Sequence, residues 1–163
     1  MQCLTPVQQR QDGPEIPLHW TWGDPLLILA ARIGLGGRKV TKTYLKRETA
    51  QARAYSQAVI TEGGRIIWLA GQTAGAEAGA GDFDGQVREV FSRLAKTLEE
   101  AGGALRDMVT MTVFITDARF GDRFTRLRKE IFGDDFPAST LITVAGLARP
   151  ELLVEVQGIA VVG

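Results

Sequence analysis

The sequence predicts an α+β domain running from about Val40 to Gly163, and three observations carry the prediction. Two segments repeat apolar residues at helical steps of three and four. Several short runs rich in Val, Ile, Thr and aromatic residues read as strands. Gly, Pro and Asp punctuate the joints between them.

The first strand is read at Tyr55–Thr61, and Glu62-Gly63-Gly64-Arg65 follows as a hairpin-type turn. Ile66–Gln72 is a more continuous apolar run, hence a more buried strand. A Gly/Ala-rich loop continues through Gly81. It has neither the G-x-G-x-x-G nor the Walker spacing of a phosphate cradle. From Asp84 to about Ala101, Val87, Val90, Phe91, Leu94 and Leu98 form one helical stripe. Asp82 or Asp84 can cap its start, and Gly102-Gly103 ends it. Met108–Ile115 is the next strand, with Asp117 in the turn that leaves it. A second helix spans Phe120–Phe132, with Phe120, Phe124, Leu127 and Ile131 on one face and the charged run Arg123–Glu130 as its wet side. Thr140–Val144 and Leu152–Val162 close the chain as strands. The order strand, strand, helix, strand, helix, strand, strand predicts a mixed β-sheet with two helices packed on one face. The other face then needs cover, which a symmetric oligomer supplies.

Residues 1–39 differ in texture. They hold Pro6, Pro14, Pro17 and Pro25, with Trp20, Trp22 and a Gly-rich run, and no sustained period. They are read as an N-terminal extension, loose or docked, with the alternative that Val40 is the natural start. The domain proper is 40–163.

Composition removes several functions. Lys plus Arg and Asp plus Glu are 19 each, so no basic excess points to nucleic acid. One cysteine, Cys3, cannot form an internal disulfide, so a reducing, cytoplasmic setting is expected. His19 is the single histidine, too few for a zinc site of about three or four ligands, so no metal is expected. The apolar run at 25–31 is shorter than the roughly 18 residues of a membrane span.

Six short motifs stand in a common order. They are Tyr55-Ser56-Gln57-Ala58, Ala70-Gly71-Gln72, Ala101-Gly102-Gly103, Val113-Phe114-Ile115-Thr116-Asp117, Phe136-Pro137-Ala138, and Val154-Glu155-Val156 with Ile159-Ala160. Together they resemble the Rid family, the reactive intermediate deaminases, also called YjgF-like or RidA-like and once labelled endoribonuclease L-PSP. The resemblance implies a chorismate-mutase-like fold, a homotrimer with ligand clefts shared between subunits, and cofactor-free hydrolysis of small enamines or imines. It maps the catalytic carboxylate onto Glu155, with Tyr55 and Gly71 lining the cleft. On the residues alone, the alternation of Glu155 with Val154 and Val156 reads as a solvated strand position, and it is the resemblance that turns the reading toward a cleft residue. Gln157 shares its face and can bind a ligand or stand exposed.

One position departs from the family pattern. Where the family carries an arginine after Pro-Ala, this chain reads Pro137-Ala138-Ser139-Thr140. The family's helix asparagine is replaced at about Thr125. Ser139 can donate one hydrogen bond but cannot make a bidentate ion pair, a loss of about 2 to 5 kcal/mol for a buried carboxylate contact. The chain thus looks like a member of an arginine-lacking subfamily with an altered substrate. Arg149, after the Thr140 strand, and Arg53, two residues before Tyr55, are the candidate substitutes, against the alternative that both are solvated. A small-molecule substrate is the expected partner. The competing functions are a non-catalytic trimer that binds a metabolite and, less favoured, an RNA-cleaving protein.

Overall fold

The computed structural model describes residues 39–75 and 82–163. The expectations for Cys3, His19, the apolar run at 25–31 and most of the Gly/Ala loop lie outside them. The elements are β1 (Thr41–Leu45), α1 (Glu48–Ala52), β2 (Ala58–Glu62), β3 (Arg65–Thr73), α2 (Phe83–Glu100), β4 (Met108–Ile115), α3 (Gly121–Phe132), β5 (Ala138–Thr143) and β6 (Val154–Val162). No helix among the described residues is long and apolar enough to cross a membrane.

Four strands form a mixed sheet in the order β3-β6-β4-β5. β4 and β5 run parallel, and β6 is antiparallel to both β3 and β4. β1 and β2 make a separate antiparallel pair. This corrects the sequence reading in three places. β1 and the five-residue α1 were not foreseen. The first strand begins at Ala58 rather than Tyr55. The Gly63-Gly64 turn has the two positive φ values of a hairpin turn, 72° and 79°, yet β2 bonds to β1 and β3 to β6. Turn chemistry reverses the chain but does not choose which edges pair.

α2 lays its stripe on the sheet as its spacing predicts. Val87, Val90, Phe91, Leu94 and Leu98 are 0–2% exposed. They share one core with Leu69, Met111, Val113, Ile115, Val154 and Val156 of the sheet and with Phe124 and Leu127 of α3. Both long helices therefore feed the same face. Asp82 is the cap, its carboxylate accepting from the backbone N–H groups of Asp84 and Gly85 at 3.2 Å each. Gly102, at φ 80°, ends the helix in a left-handed conformation. Gln86 is buried and locks α2 to the segment before β6. Its Nε2 donates to the Glu151 carbonyl and its Oε1 accepts from the Leu153 N–H, both at 2.9 Å.

α3 departs from expectation at one residue. The charged residues of Arg123–Glu130 are expected on the wet side of this helix, but Arg128 is 4% exposed. At helical spacing, Phe124, Leu127, Arg128 and Ile131 occupy one face. Arg128 is thus drawn to the sheet side of the helix.

Candidate functional site

The sequence-predicted residues fall into two clusters. The first surrounds Glu155. In β6, Val154 and Val156 are fully buried on the helix side, so Glu155 projects from the open face. It lies opposite Phe114 of β4 and Thr73 of β3. The β3–β6 register shifts between Leu69 and Gln72, leaving Ala70 and Gly71 against Gln157. Such a bulge re-aims the chain locally. Gly71 is where it matters. A Cβ there would stand 2.0 Å from Glu155 Oε1, so the missing side chain makes the seat for the carboxylate. Gln157 is exposed on the same face, paired with Thr112.

The second cluster gathers at β5, two strands away. Ser139 pairs with buried Met111 and so faces the helices. Its hydroxyl oxygen accepts a 2.5 Å hydrogen bond from Nη1 of Arg128. Nη2 of Arg128 donates to the Arg53 carbonyl at 2.7 Å. The guanidinium also stacks over the Phe124 ring, 5.2 Å from its centroid. Burial pushes the Arg128 pKa down to about 10. The nearby charge of Arg53 adds to the depression, and Tyr55 opposes it. Arg128 is therefore cationic at neutral pH.

Tyr55 reaches this cluster by an unusual turn. α1 ends at Ala52, and Ala54 takes φ 55°, a left-handed conformation that is uncommon for a residue with a Cβ. The Tyr55 N–H then bonds back to the Ala50 carbonyl at 3.1 Å. The next residue, Ser56, bridges to Ala138 beside Ser139.

Both candidate substitute arginines are engaged in ion pairs. Arg53 is not on a strand, and its Nη1 bonds exposed Asp122 at 2.9 Å. Nε of Arg149 lies 3.0 Å from Glu151. Thr125 returns its hydroxyl to the Gly121 carbonyl at 3.0 Å. The guanidinium against Ser139 comes from Arg128 instead, which the sequence reading missed. Its signal was present, since position 128 is four residues from Phe124 on the apolar stripe.

Within one chain the two clusters do not meet. Glu155 and Ser139 project from opposite faces of the sheet. They sit on strands two places apart, roughly 10 Å at the usual strand spacing.

Comparison with known proteins assigns the frame that carries these clusters. The family model described as Endoribonuclease L-PSP matches residues 45–162. A RutC family protein of Pyrococcus abyssi is 33% identical over 110 residues, covering 65% of this chain and 84% of its own. The structure of a Rid-family protein, YyfB from Yersinia pestis, superposes with a TM-score of 0.67 at 26% identity, covering 74% of this chain and 98% of that one. RidA from an Antarctic Psychrobacter gives 0.57 at 26% identity, with 71% and 100% covered. With nearly every element from β1 to β6 inside the matched range, the chain belongs to the Rid/YjgF (endoribonuclease L-PSP) family.

Proposed function

We propose that this protein hydrolyses a small reactive imine, enamine or related nitrogen compound, with Glu155 as the catalytic base. The observation that carries the reading is the Glu155 carboxylate seated against Gly71 on an uncovered sheet face. A carboxylate so placed can hold a water and take its proton. The water oxygen bonds to the imine carbon. That proton passes to nitrogen, giving a carbinolamine, and the hydroxyl proton follows by way of the same carboxylate as the carbon–nitrogen bond breaks, which yields a carbonyl compound and ammonia. An imine carbon is already electrophilic, so positioning supplies much of the rate and no cofactor is needed.

Self-association belongs to the same reading. Trp68 and Ile66 are 75% and 56% exposed on the face that carries Glu155, more apolar surface than a strand face ordinarily leaves to water. A ligand touching both clusters also requires two copies, because one chain holds them on opposite faces. A homotrimer with shared clefts meets both demands. One cysteine fits a reducing, cytoplasmic setting. RNA cleavage is the weaker reading, since the chain has zero formal net charge.

The test is ammonia release from iminopropanoate generated in situ by an amino-acid dehydratase. Addition of the full chain should accelerate release over buffer, and Glu155→Ala should remove about a hundredfold or more of that rate. A Glu155→Ala protein as active as the parent would sink the assignment. So would the absence of any acceleration.

A further inference from the structure

Among the described residues, Arg128 is a buried cation with no anion. None of the ion pairs among the described residues includes it. A guanidinium carries five N–H donors. Two are used, on the neutral oxygens of Ser139 and Arg53. Nε has no partner although it is buried. Removing such a charge from water costs several kcal/mol unless a counter-charge repays it. A clamp for two neutral oxygens would not need a formal charge.

The surroundings look arranged around this group. Ser139 and the Arg53 carbonyl fix two edges of the guanidinium plane, and Phe124 supports its face. Ala54 accepts a left-handed backbone between Arg53 and Tyr55. Uncommon backbone geometry of this kind clusters at binding sites. Tyr55 follows Ala54 in this turn and lies near enough to act on the Arg128 charge. The serine does not leave a gap where a strand arginine would stand. It props an arginine that arrives from the helix.

We infer that Arg128 is the anion-holding, specificity-determining residue of the site, that Ser139 positions it, and that the ligand bears a carboxylate. The inference rests on the cleft proposed above as the place of binding, but not on the hydrolysis. It revises the expectation drawn from Ser139 alone, because the chain keeps a guanidinium at this place by moving its origin from β5 to α3.

The experiment compares pyruvate with pyruvamide, which differ in charge at one end, as ligands of the full-length protein by calorimetry or ligand-observed NMR. The parent should bind pyruvate about tenfold or more tightly than pyruvamide. Arg128→Met should weaken pyruvate by about thirtyfold, the size of a hydrogen bond to a charged group, and abolish the preference. Ser139→Arg added to Arg128→Met should restore it. Equal binding of the two ligands by the parent overturns the inference, and that comparison needs no variant to fold. No saturable pyruvate binding also overturns it, as does a preference that survives Arg128→Met. Turnover by the parent separates the two proposals. A parent that prefers pyruvate but releases no ammonia from iminopropanoate would break the hydrolysis reading and leave the Arg128 assignment standing.

Discussion

On one face of the four-stranded sheet, Met111, Val113, Ile115, Val154 and Val156 meet α2 and α3 and are at most 1% exposed. On the other, Trp68 and Ile66 stand mostly in the open, with Glu155 between them and the β4 side. The polar groups follow the same division. Arg128 is immobilised by burial on the helix side, whereas Glu155 has its place because Gly71 lacks a side chain. The first face is finished within one chain. The second has its chemistry laid out but not its cover. A fold that completes one face and leaves apolar side chains exposed on the other puts Glu155 on the side that lacks cover.

The largest effect separates the faces directly. Phe91→Ala removes a ring that packs against Phe124 and Phe132, at centroid distances of 6.1 and 5.5 Å. It should cost about 3 to 5 kcal/mol in denaturant titration. Trp68→Glu changes an exposed side chain and should leave the single chain's stability within about 0.5 kcal/mol. It should instead lower the molar mass measured by light scattering, because a buried interface charge without a partner opposes assembly. An unchanged mass would break the comparison, since the open face would then be an ordinary wet surface.

A smaller effect sharpens the account of the open face. Gly71→Val puts a branched side chain where the Glu155 carboxylate lies. The carboxylate is the tip of a flexible side chain, so it can swing away at little cost to the fold. The expected outcome is a melting temperature near the parent's with turnover reduced about tenfold or more, since displacements near 1 Å are enough to do this. A loss of fold instead would show that the bulge, and not the carboxylate seat, is what Gly71 serves.

Much of this contrast was legible in the residues. The α2 stripe and the burial of Val154 and Val156 around Glu155 follow from periods of 3.6 and 2, and the Asp82-or-Asp84 cap from the preference of helix starts for a carboxylate acceptor. β1 was not legible, because Thr41–Leu45 shows alternation only once it pairs with β2. α1, at five residues, is too short to display a helical period. The pairing of β3 with β6 joins residues nearly a hundred positions apart. Arg128 was hidden differently. Its charge placed it with Arg123 and Lys129 on a wet face, while its spacing from Phe124 placed it on the dry one. Charge won in the reading, and spacing won in the fold.

The smallest effect concerns the turn that leads from β4 toward the helix carrying Arg128. Asp117 caps it, its Oδ1 accepting from the Arg119 N–H at 2.8 Å and its Oδ2 from Arg119 Nε at 2.8 Å. These bonds, the side-chain one first, hold the Asp117 carboxyl below its ordinary pKa, with slight burial opposing. The sign follows from proton counting. Between the lowered folded value and the unfolded value near 4, the unfolded chain binds more protons, so stability rises with pH across that window. The contribution is present above about pH 4 and is lost as the pH falls through the folded value. Asp117→Asn should therefore melt slightly below the parent at pH 7, and the gap should close in strong acid. Arg119 is exposed and Asp117 partly so, and added salt should narrow the gap as well. A gap that persists in acid would mean that the cap acts through the amide-tolerant backbone bond, and that the ion pair with Arg119 contributes nothing to where α3 begins.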